Sequence, residues 1–397
     1  MKDMPENTEQ YRSVRFILPF FAANGLIYGL NSIYYSFIPK YLKDFGGKSD
    51  VDIGIILSIG PLIGIISLIF FGVVSDKAKY KNNVLTLIIA ISAVLFYMIR
   101  LNNSLAYLVI IFAVFMFFLS PFGGLIDAVS LEYTTAAKIK YGPIRVTGSL
   151  FFGGISLILT LVLTFFGKYT DVGLIFPVFA VMAVFAIISV KMTPPVKGHA
   201  HGKKNLSYKE FFKDKACITL LVCLFVGQFS FGCYNNFMQN FLDINLKQAP
   251  WVWGLTVFVT IIGEIFFFIK FDYFFRRFSI KSIVVFSVLT QVLRYFSFAF
   301  LPYGVSVLVT SLMTGSFCTV INYAAAYYIN LTVKKEMRAL GQTLLYAISF
   351  YIPRFLSGIV GGFTVEKFGF GTLMLFCGVI NLMLLFSTKF MPFRDPT

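Results

Sequence analysis

The sequence predicts an all-α integral membrane protein whose twelve transmembrane helices fall into two six-helix bundles of similar plan. Three observations carry that prediction. Only 13% of the 397 residues are charged and 58% are hydrophobic, against roughly 25% charged in a soluble domain. The apolar residues gather into twelve stretches close to the ~20 residues that a ~30 Å hydrocarbon core requires. A hydrophilic linker separates six of these stretches from six, and each half carries a similar acidic-basic loop.

The stretches run at 15–39, 52–75, 84–100, 105–132, 144–166, 172–192, 216–241, 251–275, 281–301, 304–330, 339–365 and 370–390. Backbone groups in hydrocarbon are satisfied only within a helix or around a closed barrel, and no stretch alternates as a strand does, so each is a helix. The first follows a hydrophilic N-terminus without a cleavable signal, and it carries Asn24, Tyr28 and Asn31 at helical spacing. The second ends in FGVVSDKAKYKNN, Phe71 to Asn83. The fourth carries Asp127 inside LIDAVSLEY, where an ionised carboxylate costs several kcal/mol unless a partner or water reaches it. The fifth carries Arg145 and Phe152 among Gly148, Gly153 and Gly154. The linker TPPVKGHAHGKKNLSYKEFFKDK sets the domain limits at 1–192, 193–214 and 215–397. Its His199 and His201 are two ligands in a solvated segment, too few for a metal site. The seventh helix repeats polar residues at Gln228, Tyr234, Asn235 and Gln239; the eighth holds Glu264, the ninth Arg294, and the eleventh Arg354 after Pro353. Arg354 either snorkels to the interface or joins the site. Gly358, Gly361 and Gly362 allow close helix packing there. The five cysteines lie in apolar segments without a C-x-x-C pair, as small core residues do.

The net charge of +16 is unevenly placed. The N-terminus, the even-numbered loops with their flanks and the C-terminal tail hold 23 of the 34 basic residues, the odd-numbered loops and their flanks 7. By the positive-inside rule both termini are cytoplasmic and the chain is a multi-pass protein of the cell membrane. The basic excess therefore meets the lipid bilayer, and no nucleic acid partner is expected. Asp76 and Asp272, 196 residues apart, each stand at a cytoplasmic helix end before a cluster of bases; two such halves suit a transporter with a central site.

Helical geometry then pairs the charges. Asp127 and Arg145 are equidistant from residue 136, so in an antiparallel hairpin both lie about 13 Å from the turn at 1.5 Å per residue. Glu132 and Lys140 share that midpoint and predict a shallower pair. Glu264 and Arg294 are equidistant from residue 279, about 22 Å from their turn. Each half is thus expected to bury one acid–arginine pair. Arginine's planar fork suits a carboxylate or two vicinal hydroxyls.

Gly72-Val-Val-Ser-Asp76-Lys77, with Lys79 and Lys81, resembles the G-x-x-x-D-(basic) loop motif of the major facilitator superfamily. The resemblance implies that superfamily's fold, alternating access, and a conformational gating role for Gly72, Asp76, Lys77, Lys81 and Asp272. D-A-x-x-L-E followed by YGPIRVTGSLFFGG resembles the proton-symporter branch that contains lactose permease and the 3-phenylpropionate-permease-like proteins. Tyr234-Asn-Asn-Phe-Met-Gln-Asn-Phe241 extends the similarity more loosely. By that resemblance Asp127 and Arg145 bind substrate, Phe152 offers a ring face, and Asn24, Tyr28, Asn31, Tyr234, Asn235 and Gln239 line the cavity. Asn235 and Met238 stand where that permease has acids, and Met313 to Tyr328 lacks its histidine and glutamate; galactoside recognition does not carry over.

The expected function is proton-coupled symport of a small polar organic solute: a sugar, nucleoside or aromatic acid. The proton is the only cofactor-like partner, taken by Glu264 beside Arg294 or by Asp127, and the protein is expected to work as a monomer. An efflux antiporter is the alternative, although G-x-x-x-G-P-x-x-G-G is absent from the fifth helix. No metal-ligand cluster, nucleophile elbow or phosphate loop points to an enzyme.

Overall fold

The computed structural model describes residues 14–167, 171–196, 215–270, 273–274, 277–301, 304–315, 317, 321 and 347–390. Among them helices α1 (Val14–Asp44), α2 (Asp50–Lys77), α3 (Lys81–Met98), α4 (Leu105–Ala136), α5 (Gly142–Phe165) and α6 (Ile175–Met192) form the first six. Then come α7 (Lys215–Asn240, prolonged by a π-turn Phe241–Asn245), α8 (Trp251–Ile269), α9 (Ile280–Phe300), α10 (Gly304–Gly315), α11 (352–368) and α12 (370–387). Each of the twelve expected spans is represented. The tenth and eleventh lie partly outside the described residues, as does Asp272.

The differences have local causes. α4 is broken between Leu119 and Phe122 at Ser120-Pro121: proline has no N–H for the helical ladder and its ring crowds the preceding turn. The chain resumes at once, with the Leu125 N–H donating to the Pro121 carbonyl at 2.9 Å, and runs to Ala136 rather than 132. α8 stops at Ile269, short of the expected 275. α11 and α12 meet at Gly369, whose φ of +82° and ψ of 164° interrupt the helix; only glycine adopts that region at little cost. At the start of α3 the linker's first residues are stitched in: Lys81 N–H donates to the Val196 carbonyl at 2.8 Å, and the Asn82 amide reaches the Thr193 hydroxyl at 2.8 Å.

The chain divides into two compact units. One holds Met1–Ile38 and Ile63–Gly202, the other Pro39–Leu62 and Lys203–Thr397. In the first, α3 packs against α6 over a ring cluster in which Phe96 stacks on Phe179 at 4.3 Å and tilts against Phe115 and Phe176. In the second, α7 and α9 both pack on the 352–387 segment that forms α11 and α12, and α8 packs on α10. The segment 39–62 joins that unit because glycines let backbones touch: a Cβ on Gly358 would lie 2.6 Å from the Gly54 carbonyl, and one on Gly362 would lie 2.5 Å from the Asp50 carbonyl. Charges reinforce the contact, with Lys40 between Asp44 (3.1 Å) and Asp243 (2.6 Å), and the Val51 N–H donating to Glu366 at 2.9 Å. Large apolar side chains such as Ile66, Val94, Ile110, Phe286 and Met383 are exposed, a surface that hydrocarbon covers.

Candidate functional site

In the first unit the chain brings Asp127 and Arg145 together, with Nε 3.6 Å from Oδ2 and each side chain 34% exposed. α4 and α5 supply them from either side of the turn at 137–141, close to the residue from which both are equidistant. Tyr28 of α1 completes a trio: its hydroxyl donates to Asp127 Oδ2 at 3.0 Å, and the Arg145 guanidinium lies 4.3 Å from its ring centre. Arg145 also donates to the Ser149 hydroxyl one turn on, at 3.3 Å. Asp127 Oδ1 is buried and accepts nothing. The carboxylate is thus half used, and its one cation sits at a distance where the pair is loose rather than bidentate.

Two glycines make room for Tyr28. A Cβ on Gly148 would lie 2.5 Å from the ring's Cδ2, and one on Gly123 would lie 3.2 Å from the hydroxyl. The ring is therefore held between α5's backbone and the arginine. Tyr141, which the sequence reading did not single out, places a buried hydroxyl near the same carboxylate. Its one signal was position, four residues before Arg145 and hence on the same helical face.

The other polar residues of α1 divide. Asn24 is fully buried and gives its amide to the Ser130 hydroxyl (2.8 Å) and the Phe20 carbonyl (3.0 Å). It ties α1 to α4. Asn31 is half-buried and bonds back to the Ile27 carbonyl. Phe152 is half-buried, and its carbonyl accepts from Ser32 at 2.6 Å, locking α5 to α1.

The loop residues behave differently from the simple expectation. Glu132 pairs with Lys81, not Lys140, which is exposed. Lys81 also reaches Asp76 at 3.4 Å, so one nearly buried ammonium joins the ends of α2, α3 and α4. Lys77 is exposed, and nothing lies within 4 Å of a Cβ placed on Gly72.

The second unit corrects the other expected pair. Arg294 forms no ion pair with Glu264 among the described residues; it is fully buried, and its three guanidinium nitrogens have no hydrogen-bond partner. Equal height on two helices does not fix azimuth, and α9 turns Arg294 towards α7. Its guanidinium lies 4.1 Å from the Tyr234 ring centre, with Phe298 at 5.3 Å, Tyr295 at 5.7 Å and Phe231 at 5.8 Å. Glu264 is half-buried on α8. Asn235 is half-buried, while Gln239 is buried with an unbonded Oε1. Arg354 turns inward: it donates twice to Gln228 Oε1, at 3.2 and 3.3 Å, and lies 4.6 Å from the Phe231 ring.

A model of the MFS_1 like family matches residues 24–376. The Uncharacterized transporter YwbF of Bacillus subtilis (strain 168) is 22% identical over 351 residues, which span 87% of this chain and 86% of YwbF. Among solved structures, a mutant of the nucleoside transporter NupG superposes with a TM-score of 0.83 at 18% identity, covering 94% of this chain and 99% of that one. A D-xylose-proton symporter gives 0.71 at 14% identity, covering 95% and 98%. At such identities these likenesses speak for the fold.

Proposed function

Because the chain belongs to the MFS_1 like family, we propose that it is a secondary transporter of the cell membrane, carrying a small polar organic solute in symport with protons by alternating access. The observation that supports this most is the Tyr28–Asp127–Arg145 trio. A pair serving packing alone is best closed, bidentate and dry; this one is a third exposed, joined by one long contact, and leaves a carboxylate oxygen unspent. A solute's vicinal hydroxyls or carboxylate can take the guanidinium fork, with the ring of Phe152 beside it. Sugars, nucleosides and aromatic acids share that chemistry. A nucleoside transporter and a xylose–proton symporter among the structural relatives support the solute class.

Coupling follows from the same pair. Once a solute engages Arg145, Asp127 stands at membrane depth without its cation, a costly state that proton binding relieves. Glu264 is the second candidate for the proton. One charge moving down 100 mV supplies ~2.3 kcal/mol, about fifty-fold in concentration. Both termini are cytoplasmic in this reading, the protein works as a monomer, and no cofactor other than the proton takes part. It is a transporter rather than an enzyme.

Uptake of labelled sugars, nucleosides and aromatic acids into proteoliposomes, acid outside, tests the proposal. One class should accumulate, and a protonophore should abolish the accumulation. Glu264→Gln and Asp127→Asn identify the proton carrier: the variant that loses gradient-driven uptake while keeping exchange is the one. Solute expelled from loaded vesicles against entering protons would establish the antiport alternative instead.

A further inference from the structure

We infer that α7 and α9 build a receptor for one compact, singly charged anionic group, with Arg294 as its cation and Gln291 and Tyr234 beside it. This goes beyond the transport reading and does not depend on it.

Arg294 cannot shed its charge, because arginine stays protonated in proteins. The ring faces around it attract a cation but supply neither a hydrogen-bond acceptor in the guanidinium plane nor a countercharge. A buried charge without either is an unfavourable arrangement. Its neighbours do not supply them. One turn back on α9, Gln291 is fully buried with neither amide atom bonded. The Tyr234 hydroxyl lies beside the guanidinium and Ser311 without closing a hydrogen bond. The guanidinium only donates, and the amide NH2 and the hydroxyl can each turn a donor toward an anion. A donor set with a single positive charge matches an acceptor with a single negative one: a carboxylate or a halide.

The first unit shows the same chemistry completed on other helices, Arg145 standing on its half's fifth helix and Arg294 on its half's third. There a tyrosine from the half's first helix lies under an arginine, and Asp127 from the fourth helix neutralises it. In the second unit Tyr234 of α7 and Arg294 repeat the tyrosine–arginine contact, 4.1 Å against 4.3 Å. The fourth span of that half, 304–330, holds no aspartate or glutamate. Glu264 belongs to α8 and makes no pair with Arg294 among the described residues. Arg354, 4.6 Å from the same Phe231 ring, already has its acceptor in Gln228 Oε1. The countercharge that Asp127 gives Arg145 is therefore one that a ligand's anionic group would give Arg294.

The test uses the purified full chain in detergent, in a sulfonate buffer free of halide and carboxylate, with ionic strength held constant. Sodium acetate, sodium benzoate and sodium chloride are titrated separately. Two signals are read: the melting temperature and, in a Trp251→Phe background, the emission of Trp253, whose ring lies 6.1 Å from Tyr234. Wild type should respond saturably. Arg294→Met should weaken the apparent affinity about tenfold or more, the scale of a lost charge-assisted hydrogen bond, and Gln291→Leu should weaken it less. Response to the carboxylates alone assigns the receptor to the acid group of an organic solute; response to chloride alone assigns it to an inorganic ion. No saturable response to any of the three, or an unchanged midpoint in Arg294→Met, overturns the inference. Should Arg294→Met not fold, an unchanged midpoint in Gln291→Leu overturns it equally. Failure of solute uptake in vesicles would leave these titrations untouched, so the two readings fail separately.

Discussion

Each half of the chain sets an arginine over a tyrosine ring from that half's first helix, and there the likeness stops. Arg145 is a third exposed and faces an aspartate; Arg294 is sealed among rings and faces none. The same side chain on the same platform is solvated in one case and left to aromatic faces in the other. Cation–π contact substitutes for water only in part, about 0.5–2 kcal/mol against several for desolvating the charge. The comparison teaches that residue type does not decide what a membrane arginine does: the remaining acceptors around it do.

The largest expected effect is at the solvated arginine. Arg145→Lys keeps the charge and loses the fork, so solute uptake should fall by about 100-fold or more, the value of two charge-assisted bonds, with the melting temperature nearly unchanged. Wild-type uptake kinetics in that variant would place Arg145 outside the binding event and make the halves alike after all. Next comes the platform. Gly148→Ala puts a methyl against the Tyr28 ring, and overpacking of this kind costs about 1–3 kcal/mol; a lowered melting temperature together with weaker solute binding would mark it. The smallest effects sharpen the contrast best. Tyr28→Phe removes a bond to a half-exposed carboxylate and should cost about 1 kcal/mol of stability. Tyr234→Phe removes a hydroxyl that bonds nothing and, without added anion, should stay within about 0.5 kcal/mol of wild type. Equal losses in paired thermal melts would mean the two tyrosines are equivalent.

The spans were legible because a bilayer imposes length and composition on every helix at once. Asp127 and Arg145 were legible because a short turn between adjacent helices leaves height as the chief unknown, and height follows from residue count. Arg294 was misread because counting supplies height alone, and α9 presents it to α7, a direction that counting does not contain. Lys81 was hidden by distance. Its partner Glu132 is 51 residues away, whereas Lys140 lay eight residues from Glu132 and looked the nearer choice. Tyr141 and Gln291 carried no signal beyond standing one turn from an arginine. What decides their surroundings is which helix packs on which, set by groups such as Gly54, Gly358 and Gly362 whose significance is the absence of a side chain.

The junction between α11 and α12 bears on how the second unit can move. A single residue, Gly369, turns the chain out of one helix and into the next, and one pair of torsions is too little slack to absorb a sliding displacement. Any axial shift of α11, which holds Arg354 and itself packs on α7, is handed on to α12, where Asn381 meets Ser230 of α7 and Gly378 meets Phe296 of α9. The short junction thus links the helices that hold Arg354 and Arg294, and a displacement of one is expected at the other.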